Sequence, residues 1–394
     1  MARAAPHRVP DRRPHVALLV ETSLASGRDI LQGVTRYLRE HQPWSLYHEP
    51  HALTDSLPAW LTHWRGDGII ARVQTRRMAE VIRSTGIPVV DVLGVAPDAG
   101  FPLVHVDNRA IAELAAQQFV KRGLRNFGYF GLKAENWSQE RASAFTRAVL
   151  VRTDSVASFE MPRDTVGQRS WERHINSVAR WITTLPKPCG VFVCSDQCGP
   201  QVLEGCRRAR VSVPDEVAVL GVDNDEPLCE VCDPPLSSMD AGHQAVGYAA
   251  AELLARLLKG EAAPQSPLLI RPQRVISRLS TEVLAVDDPA VAAALRLIRN
   301  RGPGGLSVDD VARHVALSRS VLQRRFRTLL KRTVHDEILA AKIRCAQDLL
   351  LKSKLSLAAI AVRAGFKHQE YMGAVLKARL GQTPAELRGY WKRR

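Results

Sequence analysis

Leu306-Ser307-Val308-x-x-Val311-Ala312 returns in the last part of the chain as Leu355-Ser356-Leu357-x-x-Ile360-Ala361. Each copy is followed by a short break, LSRS from Leu317 or GFKHQ from Gly365, and then by a second helical run. Tandem units of short helix, tight turn and longer helix are typical of helix-turn-helix motifs. The repeat therefore predicts an all-α region with two such motifs, at about 306–327 and 355–378.

The region that holds this repeat also carries nearly all of the net charge. The 394-residue chain has a formal charge of +15. From Asp287 onward it has 22 basic and 9 acidic residues, a net charge of +13, whereas the first 286 residues have 33 and 31, a net charge of +2. A near-neutral body joined to a strongly basic domain is typical of a nucleic-acid-binding module fused to another domain, so double-stranded DNA is the predicted partner.

Length and composition exclude several classes of protein. The length favours two or three domains, and no apolar run of about 18 residues is present that would span a membrane. The basic segment 1–14 is predicted to be disordered and lacks a signal-peptide core, so we expect a cytoplasmic, nucleoid-associated protein. Seven cysteines, an odd number, with only Cys229-x-x-Cys232 at ligand spacing, favour buried free thiols. We expect no metal and no cofactor.

The first 280 residues alternate between short β-branched strands and amphipathic helices, which predicts an α/β architecture with parallel sheets. In such sheets ligands bind beyond the carboxyl ends of the strands. Polar residues occupy those predicted ends and the starts of the helices that follow: Ser23, Arg28, Asp29, Glu140, Arg141, Asp196, Asp223 and Asn224. Carboxylates, amides and an arginine suit the hydroxyls of a sugar, although Asp, Ser and Asn also serve as helix N-caps.

A family resemblance adds to this pattern. The runs VDNRAIAELAAQQFVKRGLRNFGYFG, ERASAFTRAV and CSDQCGPQVLEGCRRARVSVPDEVAVLGVDNDE stand in the order found in the lactose-repressor and periplasmic sugar-binding superfamily, and LSSMDAGHQAVGYAAAELLARLLKGE with LIRPQRVISRLST resembles its ending. The resemblance covers about Arg13 to Thr281. It implies an effector domain over 15–281, with one lobe at about 15–107 and 240–265, the other at about 108–239 and 266–281, and a sugar between them.

The same resemblance implies roles for individual residues. Arg141 matches the arginine that clamps sugar hydroxyls, Asp223 matches the aspartate that binds a hydroxyl pair, and Asp196 takes the place of an acid or amide of the second lobe. Ser23, Arg28 and Asp29 match the first loop. Repressors of this superfamily carry an N-terminal DNA-binding headpiece, but only about fourteen residues precede the first strand here. We therefore expect DNA binding at the C-terminal end.

The basic domain is predicted over 290–394, after a linker over 282–289 in which Pro289 begins a helix. Ser307 and Asp310 form a predicted capping box, and Ser318 caps the following helix. That helix buries Leu322 and Phe326 and exposes a polar face. With its cap, the face comprises Ser318, Arg319, Ser320, Gln323, Arg324 and Arg327. Arginine pairs with guanine edges and glutamine with adenine edges, so this face is the predicted base reader.

The second motif is built in the same way, with Ser356 as its first cap. Its longer helix is predicted to bury Tyr371, Val375 or Leu376, and Leu380. Its predicted DNA-contacting residues are Lys367, His368, Gln369, Glu370 and Lys377. One long helix from His335 to Lys352 separates the motifs, and recognition helices in successive major grooves would lie about 10 base pairs apart.

This domain resembles the bipartite helix-turn-helix family of the arabinose regulator. The resemblance rests on SRSVLQRRF and on the residues Ala364, Gly365, Phe366, Tyr371, Lys377, Gly381, Thr383, Pro384 and Arg388. Departures are Met372 and Leu376 in place of aromatics, Ala374 in place of an arginine, and Lys331 in place of the glycine that closes the first long helix. These departures suggest that the second motif mainly contacts the DNA backbone.

The order of the two domains resembles the family of xylose operon regulators. It implies a sugar-responsive transcription factor, with D-xylose as the leading effector, a homodimer as the working form, and RNA polymerase as a partner if it activates. Another pentose, a hexose or a purine nucleoside remain alternative effectors. An enzyme is disfavoured, since no Ser-His-Asp order, metal cluster or P-loop occurs, and a transport binding protein is disfavoured by the missing signal peptide and the basic tail.

Overall fold

The structure, a computed structural model, describes residues 13–41, 43–49, 58–95, 100–133, 135–151, 153, 155–161, 168–282, 288–301 and 304–389. Residues 1–12 of the predicted N-terminal segment and 283–287 of the predicted linker lie outside the described residues. The chain divides into two compact units, Met1–Val283 and Leu284–Arg394. Within the described part, no helix combines the length and apolar character needed to cross a membrane.

The first sheet of the first unit has four parallel strands in the order β2-β1-β3-β4. Its elements are β1 (His15–Leu19), α1 (Ala25–Glu40), β2 (Ser45–His48), β3 (Gly68–Ala71), α2 (Arg76–Ser84) and β4 (Val89–Asp91). A bridge from Asp91 to Leu103 continues the layer to β5 (Val104–Val106). These strands form the first lobe.

The second sheet has six strands in the order β12-β10-β9-β8-β6-β7, all parallel except β12. Its elements are α3 (Asn108–Lys121), β6 (Asn126–Leu132), α4 (Asn136–Val149), β7 (Ala157–Met161), α5 (Gln168–Thr184), β8 (Cys189–Val193), α6 (Gly199–Arg208), β9 (Val217–Val222), α7 (Glu226–Val231), β10 (Ser237–Asp240) and β12 (Arg274–Ile276). Strands β8 and β9 are buried along their whole length, as expected of parallel strands covered on both faces. The predicted two-lobed α/β architecture is confirmed.

The chain returns to the first lobe in α8 (His243–Leu258), which packs against α1. The crossing is close enough to require glycine, because a Cβ on Gly33 would lie 2.0 Å from the Gln244 oxygen and one on Gly247 would lie 1.9 Å from the Ile30 oxygen. One predicted boundary differs from the structure. Strand β11 (Leu268–Ile270), which the sequence assigns to the second lobe, pairs with β5 beside the first sheet. The chain returns to the second sheet only in β12.

The second unit is entirely helical over its described residues, as predicted. Its helices are α9 (Pro289–Arg301), α10 (Val308–His314), α11 (Arg319–Leu330), α12 (Val334–Lys352), α13 (Leu357–Arg363), α14 (Gln369–Leu380) and α15 (Pro384–Gly389). They form two cores, one of α9–α11 with the first half of α12 and one of α13–α15 with its second half. The single long helix α12 therefore sets the distance between the motifs.

The predicted caps explain where these helices begin. Ser307 and Asp310 form the predicted capping box of α10, and Ser318 and Ser356 each accept from a backbone N–H three residues on. Local hydrogen bonding of short polar side chains thus sets the helix boundaries of the basic domain.

The seven cysteines are all free thiols, as predicted, and only Cys345 is not fully buried.

Candidate functional site

Six polar side chains from both lobes come together where strands end, and we call them the cleft cluster. They are Glu21, Arg72, His105, Arg141, Asp223 and His243. The first three belong to the first sheet and its neighbour β5, Arg141 and Asp223 to the second lobe, and His243 to the start of α8. Glu21, Arg72 and Asp223 follow the carboxyl ends of parallel strands, the usual place for a ligand in such sheets.

Glu21 and Arg72 form a buried ion pair in the first-lobe part of the cluster. They follow the neighbouring strands β1 and β3, and they are 0% and 8% exposed. Arg72 Nη1 donates to Glu21 Oε1 and, over 3.1 Å, to Ser26 Oγ. Within the described part of the chain, Glu21 Oε2 and Arg72 Nε have no hydrogen-bond partner. This buried ion pair therefore keeps one acceptor and one donor unused.

His105 adds an uncharged ring to the same half. Its Nδ1 lies 3.2 Å from the Val92 oxygen, and its buried Nε2 has no partner among the described residues. Burial, together with the neighbouring His243, Arg141 and Arg72, lowers the pKa of His105 to about 3. The ring is neutral near pH 7, so Nε2 serves a ligand as donor or acceptor according to the tautomer.

Arg141 enters the cluster from α4 of the second lobe. It is 3% exposed, and its Nε donates to Asn108 Oδ1 over 2.9 Å while Nη1 donates to the Cys194 oxygen. Its guanidinium also lies 5.0 Å from the centre of the Trp137 ring. Glu140, predicted with it, is exposed and accepts from Asn108 Nδ2 over 2.7 Å. The structure thus places Arg141 inside the cluster and Glu140 at its edge.

Asp223 follows β9 with φ at +102°, a conformation that is strained for any residue but glycine. Its Oδ1 lies 3.0 Å from Nε2 of His243, whose Nδ1 is buried and has no partner in the described ranges. Burial alone would raise the pKa of Asp223, but His243, Arg141 and Arg72 outweigh burial and hold it below its usual value. These neighbours therefore favour the ionised form of Asp223.

Two of the predicted ligand-binding residues, Asp196 and Asn224, make hydrogen bonds within the second lobe. Asp196 is 1% exposed; Ser238 Oγ donates to its Oδ1 over 2.6 Å and the Asp225 N–H to its Oδ2 over 2.8 Å. Burial, helped by the charge of Asp223, raises the pKa of Asp196 to about 8. The Asn224 side-chain oxygen accepts from Arg278 Nη2 over 3.0 Å. These contacts connect the ends of neighbouring strands, and the predicted role of Asp196 and Asn224 in ligand binding stays a prediction.

The predicted first-loop residues lie at the rim. Ser23 is exposed, and its backbone oxygen accepts from Arg28 Nη1 over 3.1 Å. Arg28 Nη2 also reaches Asp225 Oδ2 of the second lobe at 3.4 Å. Asp29 accepts from Gln244 Nε2 over 3.3 Å, and burial raises its pKa. Arg28 thus contacts the second lobe, and Asp29 lies close enough to His243 and Asp223 for their charges to affect its pKa.

Sequence reasoning missed four members of the cluster: Glu21, Arg72, His105 and His243. A usable signal existed for two of them, because Arg72 directly follows GIIA and Glu21 closely follows HVALL, and these strands are neighbours in a parallel sheet. His105 lies within a strand, and His243 begins a helix distant in sequence. No local pattern pointed to them.

Helix α11 carries the first predicted DNA-contacting face. Leu322 and Phe326 are fully buried, as predicted. The cap and four residues of the opposite face are exposed: Ser318, Arg319, Ser320, Arg324 and Arg327. Gln323 is half-buried, and its Oε1 has no partner among the described residues. Arg319 Nη1 lies 3.3 Å from Asp309 Oδ1, an exposed pairing that DNA phosphates can displace.

Helix α14 carries the second face. The predicted contact residues are all exposed: Lys367, His368, Gln369, Glu370 and Lys377. The prediction of a buried Tyr371 is wrong, since it is 52% exposed while Met372, Val375 and Leu376 are buried. These three residues stand at helical spacings of three and four and define the inward face, from which Tyr371 is turned by about 100°.

Three families of known domains match the chain. A XylR N-terminal domain matches residues 15–107, a periplasmic binding protein-like domain matches 116–281, and a helix-turn-helix domain matches 311–390. Together they follow the two lobes and the helical unit described above.

Full-length relatives show the same order of domains. The xylose operon regulatory protein of Escherichia coli K12 is 32% identical, over 96% of this chain and 97% of its own length. The xylose operon regulatory protein of Haemophilus influenzae is 30% identical, over 95% of this chain and 97% of its own length. The solved structure of the xylose-binding transcription activator xylR superposes with a TM-score of 0.81 at 30% identity, covering 96% of this chain and 99% of that one. This chain therefore belongs to the family of xylose operon regulatory proteins, which are transcription regulators and not enzymes.

Proposed function

We propose that D-xylose binds at the cleft cluster and thereby changes how α11 and α14 bind an operator. The supporting observation is the set of unpaired buried polar atoms in the cluster: Glu21 Oε2, Arg72 Nε, His105 Nε2 and His243 Nδ1. They are four of ten such side-chain atoms over the described residues. Leaving a buried polar group unpaired costs roughly 1–3 kcal/mol, so a ligand that supplies partners gains affinity.

A sugar fits this set better than a charged ligand does. The unused atoms include an acceptor on Glu21, a donor on Arg72 and two imidazole nitrogens, and each hydroxyl of a sugar both donates and accepts. Arg141 and Asp223 flank them from the second lobe. The fit to D-xylose in particular is supported by the relatives, whose names describe xylose operon regulators and a xylose-binding activator.

Thermal shift and calorimetric titration of the full chain test the effector. D-xylose is expected to raise the melting temperature and to bind more tightly than L-arabinose, D-ribose, D-glucose or adenosine. Stabilisation by a purine nucleoside alone would contradict the proposal. Stabilisation by another pentose in place of D-xylose would keep the proposed site but change its effector.

The DNA side of the proposal uses both helical motifs. The exposed residues of α11 and α14 contact a half-site, and in a homodimer two chains occupy two half-sites. The sugar shifts the operator equilibrium only if it binds the two states of the protein unequally, and a tenfold shift needs about 1.4 kcal/mol. We further propose that the protein acts in the cytoplasm, at the nucleoid, as an activator that contacts RNA polymerase.

Sedimentation of the protein with operator DNA tests the proposed dimer, and measurements of operator affinity test the joint use of the two motifs. A dimer should form on DNA, and the spacing between the sequences read by the two motifs should be about one helical turn. Inserting five or ten base pairs between them should weaken binding in both cases, because α12 fixes the distance between the motifs of one chain. Equal binding at every spacing would show that the two motifs do not act together.

A further inference from the structure

Asp223, the aspartate of the cleft cluster, begins a short segment, 223–225, whose backbone is unusual at two successive residues. The φ of Asp223 is +102° and that of Asn224 is +50°, and both values lie in the left-handed region that residues other than glycine rarely adopt. Strained conformations of this kind persist only where surrounding contacts hold them, and they occur mainly at ligand-binding and catalytic sites. The contacts that hold the 223–225 segment therefore help to place the Asp223 carboxylate.

One buried carboxylate holds two successive N–H groups of this segment. Asp196 Oδ2 accepts from the N–H of Asp225 over 2.8 Å. Asp196 Oδ1 accepts from Ser238 Oγ over 2.6 Å, and the same Ser238 oxygen accepts from the N–H of Asn224 over 3.0 Å. Asp196 and Ser238 are 1% and 0% exposed, so water has little access to these bonds. The carboxylate thus anchors Asp225 directly and Asn224 through a hydroxyl.

The strand before the segment leaves the space that this carboxylate fills. Gly221 lies in β9, two residues before Asp223, and a Cβ at this position would lie 2.1 Å from Asp196 Oδ1. A side chain there would displace the carboxylate from Ser238. A glycine inside a strand weakens it and often marks a close approach of another group, which here is the carboxylate of Asp196. The sequence of β9 thus admits the residue that anchors the segment after it.

The backbone ladder between β9 and β10 extends only as far as Asp223. The N–H of Asp223 donates to the Met239 oxygen of β10 over 2.9 Å. The next two N–H groups, those of Asn224 and Asp225, are held by side chains instead of by the backbone of β10. This change from ladder to side-chain contacts coincides with the positive φ values. The side chains therefore direct the chain out of the sheet immediately after Asp223.

We propose that Asp196 is a positioning residue of the sugar site, which acts with Ser238 by holding the segment that Asp223 begins. The two buried side chains fix the backbone on the C-terminal side of Asp223, so that its carboxylate faces His243 and a bound sugar. Neither side chain needs to touch the sugar itself. The inference rests on the proposed function, because it takes Asp223 to be a sugar contact.

Ser238→Ala tests the proposal with a small change, because it removes only the hydroxyl that connects Asp196 to the N–H of Asn224. Calorimetric titration of the full chain with D-xylose should show a loss of affinity of about three- to tenfold, as expected for the loss of one hydrogen bond. Wild-type affinity in this variant would overturn the proposal.

Ser280→Ala is the matched control. Ser280 is also 0% exposed, and its Oγ accepts from the N–H of Ser237 over 2.7 Å and donates to the Val219 oxygen over 2.6 Å. Both contacts lie outside the 223–225 segment. Ser280→Ala should therefore lower the melting temperature as much as Ser238→Ala does but bind D-xylose as the wild type does. An equal loss of sugar affinity in the two variants would show a general loss of stability and overturn the proposal.

Two further changes separate positioning from direct contact with the sugar. Asp196→Asn keeps a hydrogen-bonding group of the same shape and should retain most of the affinity, whereas Asp196→Ala should lose about tenfold or more. In an Asp223→Gly background, which has no carboxylate to position and tolerates the positive φ, Ser238→Ala should cause no further loss. The same loss in both backgrounds would overturn the proposal.

The Asp223→Gly variant also tests the proposed function separately. If it binds D-xylose as the wild type does, the role of Asp223 as a sugar contact fails. The positioning role is then decided by amide hydrogen exchange in the sugar-free protein. Exchange at Asn224 and Asp225 must rise in Ser238→Ala and stay at the wild-type level in Ser280→Ala. Equal exchange in all three proteins would overturn the positioning role as well.

Discussion

His243 Nε2 lies 3.0 Å from Asp223 Oδ1, and this contact joins the first turn of α8, which packs in the first lobe, to the end of β9 in the second. The carboxylate side therefore belongs to one lobe and the imidazole to the other. A ligand that binds between Asp223 and the unpaired atoms of the first lobe adds further contacts across the same boundary. The pair thus connects the two lobes at the proposed sugar site.

Asp223→Asn is expected to weaken D-xylose binding by about 10- to 100-fold, because a hydrogen bond to a charged group contributes about 1.5–3 kcal/mol. The amide also loses the attraction of His243, Arg141 and Arg72 that keeps Asp223 ionised. Calorimetric titration measures the change. Glu113→Gln, which removes an exposed carboxylate paired with Arg109, is the control and should bind the sugar normally. Unchanged affinity in Asp223→Asn would remove this residue from the site.

The sequence predicted the domain order and most elements because their patterns are local. The caps at Ser307, Ser318 and Ser356 and the apolar strands around β8 and β9 follow from a few neighbouring residues. Strand β7 has no clear sequence signal, since it is a short edge strand whose five residues alternate without a buried face. The proposed cluster was only partly predicted, because contacts such as that of His243 with Asp223 join residues that are distant in sequence.

Asp196 is expected to make the effector unit less stable as the pH rises from neutral. Its pKa is raised from 3.8 to about 8, so the folded state keeps a proton that the unfolded state releases, and the free energy of unfolding falls between these values. The pKa of His105 is lowered from 6.5 to about 3, so this residue makes the free energy of unfolding rise between these pH values and has no further effect above pH 6.5. The window from pH 6.5 to 8 therefore isolates Asp196.

Urea unfolding at pH 6.5 and pH 8 measures this effect. The wild-type midpoint for the effector unit should fall over this interval, whereas Asp196→Asn, which does not titrate, should show a flatter profile. A wild-type midpoint that does not fall between pH 6.5 and 8 would mean that Asp196 is already ionised in the folded state.

Lys331→Gly is expected to stabilise the first motif. Lys331 closes α11 with φ at +56°, and Gly381 closes α14 in the same way with φ at +73°. A left-handed conformation costs a non-glycine residue roughly 1 kcal/mol, so the glycine should raise the melting temperature of the helical unit by a few degrees. Scanning calorimetry of the full chain measures it. Gly381→Lys is the reciprocal variant and should lower the same transition; equal transitions in all three proteins would exclude strain at Lys331.

Gln323→Ala is expected to relax operator preference at one or two base pairs and to cost about 1–3 kcal/mol on the preferred sequence. The half-buried Gln323 has an unpaired side-chain oxygen over the described residues, and it lies between Arg319 and Arg327 on the exposed side of α11. Competition binding with a library of operator variants measures preference at each position. A uniform loss of affinity across all sequences would assign Gln323 to the DNA backbone.

The second motif is expected to contribute affinity with little base preference. Helices α11 and α14 have the same length, and an offset of 50 residues aligns them from Arg319 and Gln369 to their caps. At the two central positions of the face, Gln323 and Arg324 are replaced by Gly373 and Ala374, which carry no polar side chain to reach a base edge.

Lys377→Ala should therefore weaken binding to all operator sequences alike and reduce the slope of log affinity against log salt by about one, as expected for the loss of one phosphate contact. Arg327→Ala, the variant at the aligned position of α11, is the comparison. It should also change the ranking of operator sequences if it reads a base. A change in ranking caused by Lys377→Ala would mean that α14 reads sequence directly, despite the two missing side chains.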